Sequence, residues 1–300
     1  MKRIGIMIIM AAATVCAAAQ EARVLPREGD LDNGIHWMNQ IIISNRPPRM
    51  TISLMKDDKI VQTLHTECEY EPNDMEGVGD LELQDVNFDG HNDILVTLGY
   101  YGNQATAYKD CFIYDPAGDK YDHCPSFSKI ESPMADDQRQ FIYSESRSSA
   151  NEYVFRKYQF QKGRFVKLYE QPMHYYNNER FVFSVPYTVE MKPQGEPQNG
   201  DGQVFIDDDG AKLHVFAAHN ALDKTMRQLY DENRREDDEM GVCYDDLFKR
   251  SGTQGNQKYY QEVRIHDNVF YHLVFTYPAI SNKAYDNILE TIVDNWDTGN

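Results

Sequence analysis

The sequence predicts two domains: an all-β domain, sandwich or barrel-like, over residues 20–178, and an α+β domain with an antiparallel sheet and two helices over 179–300. From about residue 36 to 169, short apolar runs recur between Gly, Pro, Asn and Asp, the rhythm of strands joined by turns. Beyond Asn177-Asn178, strand-like runs mix with two segments of helical spacing. The 20 Tyr and 14 Phe suit pleated surfaces, and 300 residues suffice for two cores.

Lys2 and Arg3, the apolar run Ile4 to Val15, then Ala17-Ala18-Ala19 and Gln20 follow the order of a secretory leader over residues 1–19, cleaved after Ala19. This places the mature chain in the periplasm or outside the cell. The alternative, lipid anchoring through Cys16, meets Val15 where a lipoprotein leader usually has Gly, Ala or Ser. The leader's apolar run is shorter than the roughly 20 residues of a membrane span, and no later segment approaches that length. Loss of Lys2 and Arg3 removes two positive charges, so the formal charge of −18 becomes −20. That balance disfavours nucleic acid and anionic membranes and favours cations or basic partners.

The expected strands of the first domain are Gln40 to Ser44, Met50 to Leu54, Lys59 to Leu64, Leu81 to Gln84, Ile94 to Leu98, Tyr108 to Tyr114, Phe141 to Ser144, Tyr153 to Gln159 and Arg164 to Tyr169. Hairpin turns are expected at Met55 to Ile60 and Gln161 to Gly163.

The stretch Asp85-Val-Asn-Phe-Asp-Gly-His-Asn-Asp93 carries oxygen side chains at loop positions 1, 3, 5 and 9 with Gly at 6. Gly90 permits the sharp turn that wraps Asp85, Asn87, Asp89 and Asp93, with the His91 carbonyl, around one Ca²⁺. An EF-hand would place Glu at position 12 between helices. Here position 12 is Val96 and the flanks read as strands, so this is an EF-hand-like calcium loop in a β-domain.

Four cysteines follow the leader, at 68, 111, 124 and 243. Cys111 and Cys124 flank the turn Asp115-Pro-Ala-Gly-Asp119, so a symmetric hairpin sets them opposite one another as a disulfide. Cys68 and Cys243 read as separate thiols.

In the second domain, residues 190–202 form a Pro/Gly-rich hairpin loop between Phe181 to Val189 and Val204 to Ile206, and Asp207 to Gly210 turns into the strand Leu213 to Ala217. Asn220 is positioned to cap a helix carrying Leu222, Met226, Leu229 and Tyr230. Strands Gln257 to Ile265 and Val269 to Tyr277 flank His266-Asp267-Asn268. A last helix from Ser281 or Asn282 aligns Tyr285, Ile288, Leu289, Ile292, Val293 and Trp296.

The nine His residues form no H-E-x-x-H, and no G-x-S-x-G, phosphate-binding Gly loop or C-x-x-C occurs. The expectation is a non-enzymatic protein with no catalytic residues; the alternatives are a cryptic glycan-active enzyme or an exported accessory module. Candidate partner contacts are Tyr100 and Tyr101, beside Gly99 and Gly102, and Arg147 in the loop Ser144 to Asn151.

The calcium loop, Gly102-Asn103, the Tyr108 to Tyr121 hairpin, Tyr153 and Gly163-Arg-Phe165 resemble the secreted bacterial family similar to periplasmic lysozyme inhibitors, which shares the D-x-N-x-D-G-x-x-D loop with FG-GAP repeats. The resemblance spans roughly residues 70 to 170 and implies a calcium-stabilised β-domain, with a peptidoglycan hydrolase as partner in some members. Phe183 to Trp296 resembles PsbP-like α+β domains, which occur as exported accessory modules.

Overall fold

Among the described residues, period-two alternation of apolar and polar residues becomes strand in antiparallel sheets, with two α-helices. The structure is a computed structural model and describes residues 23–31, 34–43, 47–102, 104–195, 199–281 and 283–299. The expected leader with Cys16, the strand end Ser44, Asn103 and the helix start Asn282 lie outside the described residues. The chain divides into two units, Met1–Ile130 and Glu131–Asn300.

In the first unit, β1 (Arg23–Asp30), β2 (His36–Ile43), β3 (Arg49–Lys56) and β4 (Lys59–Glu67) form one sheet in chain order. A second sheet, again in chain order, contains β5 (Leu81–Gln84), β6 (Asp93–Tyr101), β7 (Thr106–Asp115) and β8 (Lys120–His123). Ile41, Ile52 and Leu54 of the first sheet and Ile94, Val96 and Phe112 of the second share one core, so the sheets pack face to face. Gln62 stitches them together, its amide donating to the Tyr121 carbonyl (2.6 Å) and accepting from the Tyr121 N–H (2.9 Å). The β3–β4 turn places Asp57 and Asp58 at φ 51° and 60°, the paired left-handed residues a tight hairpin requires.

The second unit begins with β9 (Pro133–Asp136), β10 (Phe141–Arg147), β11 (Tyr153–Gln161), β12 (Arg164–Asn178) and β13 (Phe183–Thr188), ordered β13-β12-β11-β10-β9. The joint expected at 178/179 falls between the paired strands β12 and β13, whose register runs from Met173↔Thr188 to Asn178↔Phe183. The strand expected over Arg164 to Tyr169 runs on to Asn178. β12 pairs with β11 up to Met173 and with β13 from Met173 onward, so Pro172 sits at the handover between partners.

A seven-stranded sheet follows, ordered β14-β15-β16-β20-β19-β18-β17. Its strands are β14 (Lys192–Pro193), β15 (Gly202–Ile206), β16 (Lys212–His219), β17 (Asp238–Cys243), β18 (Leu247–Gln254), β19 (Gln257–His266) and β20 (Val269–Pro278). Helices α1 (Met226–Asn233) and α2 (Tyr285–Asp294) complete the unit. Phe155 and Met173 of the five-stranded sheet, Phe205 and Phe275 of the seven-stranded sheet, and Ile288 and Ile292 of α2 belong to one core.

The first helix differs from expectation. Thr225, not Asn220, is its N-cap: its hydroxyl accepts from the Gln228 amide, and the Gln228 side chain accepts from the Thr225 N–H (2.8 Å), a complete capping box. Asn220 closes a turn onto both backbone groups of Lys224, and Leu222 is 76% exposed outside the helix. Strands β17 and β18 had no counterpart in the sequence reading.

Cys68, Cys111, Cys124 and Cys243 are free thiols, so the expected Cys111–Cys124 disulfide is not formed. Their backbones do meet as the hairpin requires, Cys124 N–H donating to the Cys111 carbonyl (2.8 Å), but the Cys124 sulfur lies 3.4 Å from Ser126 Oγ. Burial pushes the thiols of Cys68, Cys111 and Cys124 up. Alkylation of the native protein is therefore expected to label the partly exposed Cys243 first, with the other three reacting only on unfolding; peptide mass mapping checks the order.

Candidate functional site

The loop between β5 and β6 is shaped by its own polar side chains. Phe88 (φ 62°) and Gly90 (φ 90°) take left-handed backbone, bringing the chain back so that Gln84 pairs with Asp93. The Asp85 carboxylate accepts from the amides of Asp89 (3.2 Å) and Gly90 (2.8 Å), and Asp89 accepts from His91 N–H (2.9 Å). Asn87 accepts from the Asp89 N–H (3.1 Å) and donates to the Asp89 carboxylate (2.9 Å). The His91 ring tilts against Tyr114 at 5.6 Å between centroids.

Asp93 is fully buried and accepts from Val86 N–H (3.1 Å) and Tyr114 N–H (2.9 Å), tying the loop to β7. Burial pushes its carboxyl up to about 6, the amides of Tyr114 and Val86 oppose this, and the negative charges of Asp89 and Asp85 add to it. The structure thus places Asp85, Asn87, Asp89, His91 and Asp93 in one loop. Five oxygen donors have the chemistry that suits a hard cation. Among the described residues, however, no three His, Cys, Asp or Glu side chains gather as a chelating set, because these carboxylates are turned onto backbone amides.

The expected recognition residues fall in different units, Tyr100 and Tyr101 in the first and Arg147 in the second. Tyr100 is 45% exposed at the end of β6, beyond a register shift between Thr97 and Gly99. Tyr101 instead donates its hydroxyl to the Leu98 carbonyl (2.9 Å) and packs edge-on against Tyr70 and Tyr108. Arg147 belongs to the other unit, where it donates to the carbonyls of Ser149 (3.1 Å) and Ala150 and lies 5.3 Å over the Tyr153 ring. Its guanidinium braces its own loop.

Sequence reading missed Lys157, which is only 4% exposed and donates to Glu290 (2.5 Å). The available signal was phase: Tyr153, Phe155 and Lys157 occupy alternate positions of β11, so Lys157 falls in register with inward-facing residues.

No family model matches the chain, and no curated protein matches it. Among solved structures, one described as "Structure of a Xanthomonas Type IV Secretion System related protein" is similar at 17% identity and a TM-score of 0.36, covering 61% of this chain and 93% of that chain. Likeness at that level assigns neither fold nor function.

Proposed function

We propose that this chain is an exported, non-enzymatic binding protein whose loop 85–93 takes one structural Ca²⁺ and whose partner is a basic, lysozyme-like peptidoglycan hydrolase. The observation that carries the calcium reading is the run of oxygen donors ending in Asp93, a fully buried carboxylate whose acting charged neighbours, Asp89 and Asp85, are both negative. A cation shared by Asp85, Asn87, Asp89, Asp93 and the His91 carbonyl relieves that repulsion and stiffens the β5–β6 connection. The formal charge of −18 steers a basic partner towards the protein, and the resemblance to lysozyme inhibitors suggests which basic partner. Tyr100, the exposed member of its pair, is the aromatic candidate for contact.

Calcium at 10 mM is expected to stabilise the first unit by about 1–3 kcal/mol, for an affinity of order 10⁻⁴ to 10⁻³ M. Thermal melts of the wild type and of Asp89→Ala check this, and the same rise in both rejects the loop as the site. Partner binding is tested by pull-down against a panel of lysozymes and a cell-wall lysis assay. Salt-sensitive binding that lowers lysis supports inhibition; turnover of peptidoglycan by the protein itself overturns the non-enzymatic reading.

A further inference from the structure

The second unit contains a cavity of about 570 Å³ walled by β9, β10, β11, β12 and the last turn of α2. That volume lies in the range of small-molecule sites. Two aromatic side chains in its wall, Phe155 (7% exposed) and Tyr169 (9% exposed), belong to the paired strands β11 and β12. The Tyr169 hydroxyl is buried beside the Thr291 hydroxyl, which donates to the Asn287 carbonyl (2.9 Å).

Charge pairing decides which ligand. Each basic side chain lining the cavity already has a carboxylate partner. Arg139 donates to Asp294 through both Nη atoms (2.6 and 3.0 Å), Arg156 to Glu131 (2.9 Å) and Glu170 (2.7 Å), and Lys157 to Glu290 (2.5 Å). Glu145, directly opposite Phe155 in the sheet register, is partly buried and has neither an ion pair nor a side-chain hydrogen bond among the described residues. Its carboxyl is raised by burial alone. Asp137, also in the wall, is likewise unpaired among the described residues. The uncompensated charge is therefore negative, and an anion would have to displace Asp294 from Arg139 to gain a foothold.

We propose that this cavity binds a small organic cation, with an ammonium head paired to the Glu145 carboxylate and an apolar body against Phe155 and Tyr169. Phe155 and Tyr169 favour such a ligand through apolar burial, and the unpaired Glu145 carboxylate through its charge. The site is independent of the calcium loop and lies wholly within the second unit.

The test is calorimetric titration of the full chain with benzylammonium and, in parallel, with neutral benzyl alcohol. Saturable one-to-one binding of benzylammonium, about tenfold or more tighter than benzyl alcohol, is expected. Glu145→Gln is expected to lower benzylammonium affinity about tenfold or more while its melting temperature stays at the wild-type value. Equal binding of the alcohol, undiminished binding to a folded Glu145→Gln protein, or no saturable binding overturns the proposal. The two-ligand comparison on wild type stands even if the variant fails to fold. An Nα-acetyl-lysine amide arm separates a free amine from a partner's lysine side chain, and tighter binding of that amide overturns the small-molecule assignment.

Discussion

Gly252→Ala is expected to destabilise the second unit by about 3 kcal/mol or more, because the added methyl has no torsion with which to escape. Gly252 lies within β18, paired on one side with Asp238 of β17 and on the other with Tyr259 of β19. A Cβ there would stand 2.1 Å from the Asp237 carbonyl oxygen and 2.6 Å from the Tyr259 hydroxyl. That hydroxyl donates to Asp238 (2.6 Å), which also faces the guanidinium of Arg250, a residue only 3% exposed. Moving either neighbour therefore disturbs a buried charge as well as a strand pairing. Gly255→Ala is the control: its φ of 63° carries strain but nothing lies within 4 Å, so about 1–2 kcal/mol is expected. Urea unfolding followed through Trp296 in a Trp37→Phe background reads the second unit alone, since the chain has 2 Trp, one in each unit. Equal losses for the two variants would show that crowding at Gly252 is relieved.

Glu290→Ala is expected to cost about 3–5 kcal/mol, the range for leaving a buried charge without its partner. Lys157 Nζ, on a side chain only 5% exposed, donates to Glu290 at 2.5 Å and lies 5.3 and 5.7 Å over the rings of Tyr143 and Tyr169. Tyr143 also donates to Glu290 (2.9 Å). Burial raises the Glu290 carboxyl, but the bonds from Lys157 and Tyr143 and the charges of Lys157 and Arg139 outweigh it and hold the group below its ordinary 4.5. A carboxyl lowered by folding stabilises the protein fully above its unfolded pKa, and that contribution is lost as pH falls through the lower folded value. The gap between wild type and Glu290→Ala should therefore be constant from neutral pH down to about 5 and close at more acid pH. Urea unfolding across that range checks this, and a gap that persists at the acid end would place the cost in lost packing instead of the ion pair.

Much of the local structure is legible in the sequence because its causes lie within a few residues. Leu81 to Gln84 is both the expected and the observed extent of β5, and the expected turn at Asp267-Asn268 has both residues left-handed, at φ 46° and 61°. The loop 85–93 turns at Phe88 and Gly90, and the apolar stripe of the last helix buries Tyr285, Ile288 and Ile292. Alternation, helical spacing and turn chemistry act over distances the chain spans locally.

Tertiary structure decided the rest. The strand expected to end at Tyr169 runs on because β13 takes over from β11 at Met173, and that pairing places 178/179 inside the second unit, Glu131–Asn300. Asn220 and Thr225 are both good caps by type, and packing of Met226 into its cluster selects the second. Lys157 falls on the inward phase of β11, yet its partner Glu290 lies 133 residues away, and the unpaired state of Glu145 follows only from which carboxylates the neighbouring basic groups have already engaged. Local sequence determines which residues alternate and where the chain turns. Which strands become neighbours, and which charges are left without partners, depends on long-range pairing whose energy no short stretch carries.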